Sequence, residues 1–463
     1  MIMKKILAIS FIALISIYSA DAQKNKKNET QTTNPDVQEF TVEGIQVILK
    51  SSANDVVSAR LFIKGGTVNY DKAHEGVEAF SLALAAVGGT ANYPKDVFHT
   101  ALESMGSSIG YATNYDYSQL TMKCVHQKWN ETWKIFADVI SNPSMDPEEF
   151  EKLKEQMIAT ALDVESDPDN MLRRMSIMTT FAGTNYEKVP DGTAASLETL
   201  TLDDVKTHLN KISEKAKMVL VIVGKIDKAD VEDKVKSSLA KLPQGSYTKV
   251  TAKELYIPNS KVDYAEREIA TNYMRGLFSA PLQGTKEATA MRVAMSIVND
   301  RLFIEIRTKR NLSYAPGANM SALATPYCIL YVSTTDPNQS ADVMMTELAK
   351  IRKIGFSEKE LTDIKSMYLT EYYMRNETND AQSLLLGESE IISGDWSVAD
   401  NLVNDVYSLS LNDINSVVRK YADKIKWTYI GDKSIVDEKI FTRPVSTIKI
   451  EGEDTQNLEE KAR

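Results

Sequence analysis

Apolar and polar residues first alternate in short runs, then recur at helical spacing. The runs GIQVILKSS (44–52) and SARLFIKGGTV (58–68) have the period of two expected of strands. A helix is predicted over about 74–87, where Val77, Phe80, Leu84 and Val87 fall on one stripe. Another is predicted over 95–106, closed by Gly106. SSIGYATN (107–114) and YSQLTMKCVH (117–126) read as a strand pair. Helical spacing then runs from about 129 to 183, broken near ESDPDN, and an acid-capped helix with the strand MVLVIVGKID closes the unit.

The same rhythm returns in the second half. MDPEEFEKLKEQM (145–157) matches FSEKELTDIKSMY (356–368) at an offset of 211. LTLDDVKTHLNKISEKAKMVLVIVG (200–224) matches LSLNDINSVVRKYADKIKWTYIG (409–431) at an offset of 209 that shrinks by two. Two independent matches at nearly one offset imply a duplicated chain. Strands and helices in this order imply an α+β fold: two tandem homologous domains, each a mostly antiparallel sheet with helices packed on one face. The expected domains span 38–242 and 261–448, joined by a linker over 243–260 in which Pro, Gly and Asn mark turns.

The chain opens with MIMKK and the apolar run ILAISFIALISIYSADA, the pattern of a secretory signal peptide over 1–22 cut after Ala22. The alternative, a retained membrane anchor, meets a run that is short for a span. No later stretch approaches membrane-spanning length, so the mature chain is expected to be soluble and exported, with a periplasm as its destination. Residues 23–37 and 449–463 are polar and read as flexible tails. The net charge of −10, without a basic run, argues against nucleic acid and against an anionic membrane surface. Cys124 and Cys328 sit in apolar runs of different halves and read as two buried thiols.

A hydrolytic zinc site needs about three protein ligands and an open position for water. Helical ligand pairs must stand three or four residues apart to share a face. The histidines are His74, His99, His126 and His208, so neither HExxH nor its inverse HxxEH can occur. Each histidine alone reads as a surface or internally satisfied residue. His74 and Glu75 stand at the predicted helix start, where Glu75 suits the helix dipole; a metal role for the pair is the alternative.

The stretch LFIKGGTVNYDKAHEGVEAFSLALAAVGGT (61–90) nevertheless resembles the frame of the insulinase/pitrilysin zinc peptidases, whose signature is the inverted HxxEH helix. Gly76 and Phe80 match the family glycine and phenylalanine. On that register the first histidine falls on Ala79, the glutamate on Leu82 and the second histidine on Ala83. The family's third ligand is a glutamate on a later helix, about seven residues after a supporting glutamate. With Glu155 as the supporting acid, that ligand position falls on Leu162. Ala and Leu at all four positions are what a helix carries when it buries its face, so the resemblance implies no metal bound by this chain.

In the second half, RLFIEIRTKRNLSYAPGANMSA (301–322) resembles the family segment LRxKxxLxYxVxA. Arg307 and Tyr314 match its arginine and tyrosine, which in the family contact the substrate backbone beside the zinc. Asn311 departs from the glycine often found there. The bland alternative has Arg307 paired with an acid and Tyr314 half-buried in a strand.

The resemblance covers about 38–445 and implies a non-catalytic subunit of a heterodimer. The partner would be an HxxEH-bearing peptidase subunit of the same family, zinc would sit in that partner, and the substrate would be an unfolded peptide. Two alternatives stand beside it. One is a structural scaffold without a role in proteolysis. The other is a self-sufficient peptidase with atypical ligands such as His74, Asp163 and Glu165.

Overall fold

Each half of the chain folds around its own twisted sheet. The computed structural model describes residues 36–450. The expected signal peptide lies outside them, as does most of both expected tails. The first sheet comprises β1 (Val37–Val42), β2 (Ile45–Ser51), β3 (Val56–Lys64), β4 (Ser108–Thr113), β5 (Tyr117–Val125) and β6 (Met218–Gly224), in the order β1-β2-β6-β3-β5-β4. All neighbours are antiparallel except β2 and β6. The second sheet comprises β7 (Lys261–Glu266), β8 (Asn272–Ser279), β9 (Gly317–Met320), β10 (Tyr327–Thr334) and β11 (Lys426–Gly431), in the order β7-β11-β8-β10-β9. Here only β7 and β11 run parallel. β1 corrects the expected first tail: Val37 opens a strand and is buried.

The helices that matter for the site are α1 (Val77–Val87), α2 (Pro147–Ser166), α3 (Pro168–Thr180), α4 (Leu202–Ile212), α5 (Lys286–Leu302), α6 (Glu358–Arg375), α7 (Asn379–Ser393) and α8 (Leu411–Tyr421). The two stretches that reveal the duplication are capped helices. Asp146 accepts from the N–H groups of Glu148 and Glu149 at the start of α2, and Ser357 closes a capping box with Glu360 at the start of α6. Thr201 with Asp204 and Ser410 with Asp413 do the same for α4 and α8. Each cap satisfies N–H groups that the first helical turn cannot. The break at ESDPDN is Asp167, which ends α2 and caps α3, with Pro168 in the first turn of α3.

Helices of the same half cover one face of each sheet, and each core is continuous. The opposite face takes a helix from the other half. α7 lies against β3 and β6, burying Leu386 and Ile391 with Phe62, Val219 and Val221. α3 lies against β8 and β11, burying Ile177 with Leu277 and Ile329. Gly387 makes the first crossing possible, because a Cβ there would sit 2.0 Å from the Phe62 ring. Arg60 on β3 ties the crossing down, donating to Asp380 at 2.6 Å, Ser383 at 2.9 Å and Gln119 at 3.0 Å. Cys124 and Cys328 are both buried and free, as read from the sequence.

Candidate functional site

The helix that resembles the metal-binding helix is α1, and it is buried nearly all round. A 3-10 turn, Lys72–His74, precedes it, so the helix starts three residues later than the sequence pattern implied. Gly76 is left-handed at φ 89°, and a Cβ there would stand 2.7 Å from the Gly192 Cα. Both features explain the glycine. Ala79, Leu82 and Ala83 are buried to 1% exposure or less.

Beside Ala79 opens a cavity of about 540 Å³. Its apolar lining comes from Ala79 of α1, from Leu153, Met157, Ala161 and Val164 of α2 and from Ile177 of α3. Gln156 and Thr160 of α2, Tyr111 and Thr113 of the edge strand β4, and Arg173 and Arg174 of α3 line it as well.

This geometry corrects one reading. Leu162 is 53% exposed and Glu155 is exposed, and neither lines the cavity. The α2 face that shares the cavity with Ala79 carries Leu153, Gln156, Met157, Thr160 and Ala161. No acid stands there. The residues present do not fit zinc, because alanine, leucine, methionine and threonine side chains replace the imidazoles and carboxylates that hold it. Among the described residues no group of three or more His, Cys, Asp or Glu side chains could hold a metal. The alternative set stays apart: His74 Nδ1 pairs with Asp71 at 2.7 Å, and Glu165 accepts from Arg174 at 3.0 Å.

The charge of α1 sits one residue from Ala79 and points into the core. Glu78 is buried and accepts from Asn69 at 2.9 Å, from His208 Nε2 at 3.0 Å and from the Ser118 hydroxyl. A buried carboxylate needs such partners to offset its desolvation. His208 is therefore the satisfied histidine of the core, its ring edge-on to Tyr70. Burial, with Glu78 and Glu75 nearby, pushes the Tyr70 hydroxyl far above its ordinary range. Glu75, expected at the helix dipole, instead accepts from the Val189 N–H and from Lys72 at 2.7 Å. His99 Nε2 meets the Val87 carbonyl at 3.1 Å, and His126 is exposed.

Arg307 lies on a π-helical turn, Phe303–Thr308, that continues α5. Such turns are frequent at functional sites. Its guanidinium stacks 4.1 Å from the Tyr314 ring centroid and 4.9 Å from that of Phe303. Tyr314 is 78% exposed and lies outside the strands. Arg307 is in no ion pair among the described residues, so its N–H groups remain able to donate. Asn311 is left-handed at φ 53°, which explains how it stands where glycine is often found. The structure does not bring the pair to the cavity, whose lining ends at Gly192. Arg173 and Arg174 were missed in the sequence; two adjacent arginines just past a helix break were the available signal.

Two family models match the chain in tandem. The model described as insulinase (peptidase family M16) matches 46–190, and the one described as peptidase M16 inactive domain matches 199–368. The chain belongs to the M16 peptidase family. It is 25% identical over 375 residues to a Helicobacter pylori protein named non-peptidase homolog YmxG, covering 78% of this chain and 85% of that one. A second protein matches over part of its length: mitochondrial cytochrome b-c1 complex subunit 1 of Mus musculus, 19% identical over 42% of this chain and 41% of that one. Solved structures share the fold. A peptidase M16 inactive domain from Pseudomonas fluorescens aligns with a TM-score of 0.78 at 18% identity, over 86% of this chain and 98% of that one. The first half of the periplasmic protease PqqL from Escherichia coli aligns at 0.68 and 17%, over 87% and 93%. This chain is thus an M16 homologue without the HxxEH motif. No helix among the described residues is long and apolar enough to cross a membrane.

Proposed function

We propose that the chain is the non-catalytic subunit of an exported heterodimeric M16 zinc peptidase. Its partner supplies HxxEH and the zinc, while this chain supplies half the chamber and holds the substrate. The reading is carried by one contrast: the ligand positions of α1 are buried Ala and Leu, while a half-buried Arg307 stands stacked on an exposed Tyr314. Guanidinium and phenol N–H and O–H groups can hold a peptide carbonyl and stabilise the charge that develops as water attacks it. The free edge of β4 offers backbone groups to which an extended peptide can add as a further strand. Export rests on the signal-like run 1–22 and on the likeness to a protease described as periplasmic.

Replacing Arg307 by Ala in the assembled pair is expected to lower peptide hydrolysis by about 100-fold, the scale of a lost transition-state donor. The complex itself should keep its mass on size-exclusion chromatography. An unchanged rate in an intact complex would remove the role assigned to Arg307. The likeness to a cytochrome b-c1 subunit favours a second reading, a scaffold without a part in proteolysis. On that reading neither Arg307 nor Tyr314 affects any rate.

A further inference from the structure

The cavity beside Ala79 offers no metal-ligand set and carries a net positive charge. Of its lining residues, Arg173, Arg174 and Asp191 are charged. Arg174 is half-neutralised by Glu165 at 3.0 Å, and Asp191 accepts from the Thr113 hydroxyl at 2.6 Å. Arg173 is in no ion pair among the described residues; its guanidinium reaches only the Asn170 side-chain oxygen, at 3.4 Å.

A third arginine lies within electrostatic reach. Arg275 on β8 has a buried Nε with no hydrogen-bond partner among the described residues. Burial pulls its guanidinium below the ordinary value; Arg173 adds to that pull, while Tyr327 and Tyr115 oppose it. The guanidinium groups that line the cavity itself are those of Arg173 and Arg174, and Asp191 is the one carboxylate that lines it with them. Guanidinium is the group best shaped to take a carboxylate through two parallel N–H···O bonds. The apolar part of the lining suits a side chain next to that carboxylate rather than a free inorganic anion.

We propose that this cavity binds a carboxylate of an extended polypeptide, either its C-terminal carboxylate or an Asp or Glu side chain, at Arg173 and Arg174, with the neighbouring side chain against the apolar lining. This deepens the substrate-holding role proposed above, yet it stands on residues of the first half alone and needs no partner chain.

The test is fluorescence anisotropy of the full chain with an N-labelled extended nonapeptide ending in Leu. One comparison sets the free acid against the C-terminal amide; the other sets an internal Glu against Gln in the amide form. The free acid or the Glu peptide is expected to bind about tenfold tighter than its neutral counterpart, the scale of a charge-assisted pair in a half-buried site. Which arm shows the preference identifies the source of the carboxylate. In Arg173→Gln the preference should fall to within about twofold, while Arg310→Gln, a surface change in the second half, should leave it intact. Arg173 is exposed, so its replacement should fold, and an unchanged thermal melt checks this. Equal binding of all four peptides, no binding of any, or a preference that survives Arg173→Gln would overturn the proposal. Because the complex is absent here, loss of this preference and an unchanged rate in Arg307→Ala are separate failures.

Discussion

The two halves place a cavity against the same helix face and furnish it with opposite chemistry. In the first half Leu153, Gln156, Met157, Thr160 and Val164 of α2 line it; 211 residues later Ile364, Met367, Tyr368, Glu371 and Arg375 of α6 line a cavity of about 500 Å³. The second cavity balances its own charge. Glu371 pairs with Arg375 at 3.2 Å, Arg292 donates to Gln283, and Asp300 is pushed above its ordinary range by burial, with Glu371 adding to the effect. The first draws its charge from α3, the helix that crosses to the other sheet, and that charge is positive and incompletely paired. Duplication preserved the frame; the side chains decided which copy can hold an anion.

The core beneath the cavities differs in the same way. Glu78 on α1 corresponds at that offset to Thr289 on α5, so the first half buries an ionic network where the second buries a hydroxyl. Glu78→Ala strands His208, Asn69 and Ser118 in the core and is expected to cost about 3 kcal/mol. Thr289→Ala should cost about 1 kcal/mol. Urea unfolding of the two variants measures the difference, and equal losses would erase this contrast between the halves.

A smaller effect is expected from transplanting the second cavity's acid into the first. Thr160→Glu puts a carboxylate at the position corresponding to Glu371, in the cavity that Arg173 and Arg174 line. It should bring acid and amide peptides to within about twofold of each other, a loss of about 1 kcal/mol of discrimination. Smallest of all, Arg375→Gln in the second cavity should change peptide preference less than twofold. A preference that persists in Thr160→Glu would mean that the arginines do not hold the carboxylate.

Much of this was legible in the sequence. The duplication shows because its matched segments are a capped helix, and a capped helix leading into a strand, both of which constrain residue type closely. The erased ligands at Ala79, Leu82 and Ala83 show because Gly76 and Phe80 fix the register within one helix. Leu162 and Glu155 were misplaced because a spacing of seven keeps two residues on one face without saying which face. The apolar stripe Phe150, Leu153, Met157, Ala161 identifies the buried side and excludes both. β1 went unread, since VQEFTV is short and only its first and last positions are buried. The crossing of α3 and α7 could not be read at all. An amphipathic helix reports that it needs a sheet, and nothing in its pattern says whose.

The central claim is that this chain holds substrate for a zinc that another chain carries. The most direct measurement is the rate of peptide hydrolysis by this chain alone, by an HxxEH-bearing M16 chain from the same source alone, and by the two reconstituted together. The account predicts no hydrolysis by this chain, and a rate for the pair well above that of the partner alone. Hydrolysis by this chain alone, or a partner that is fully active without it, would contradict the account.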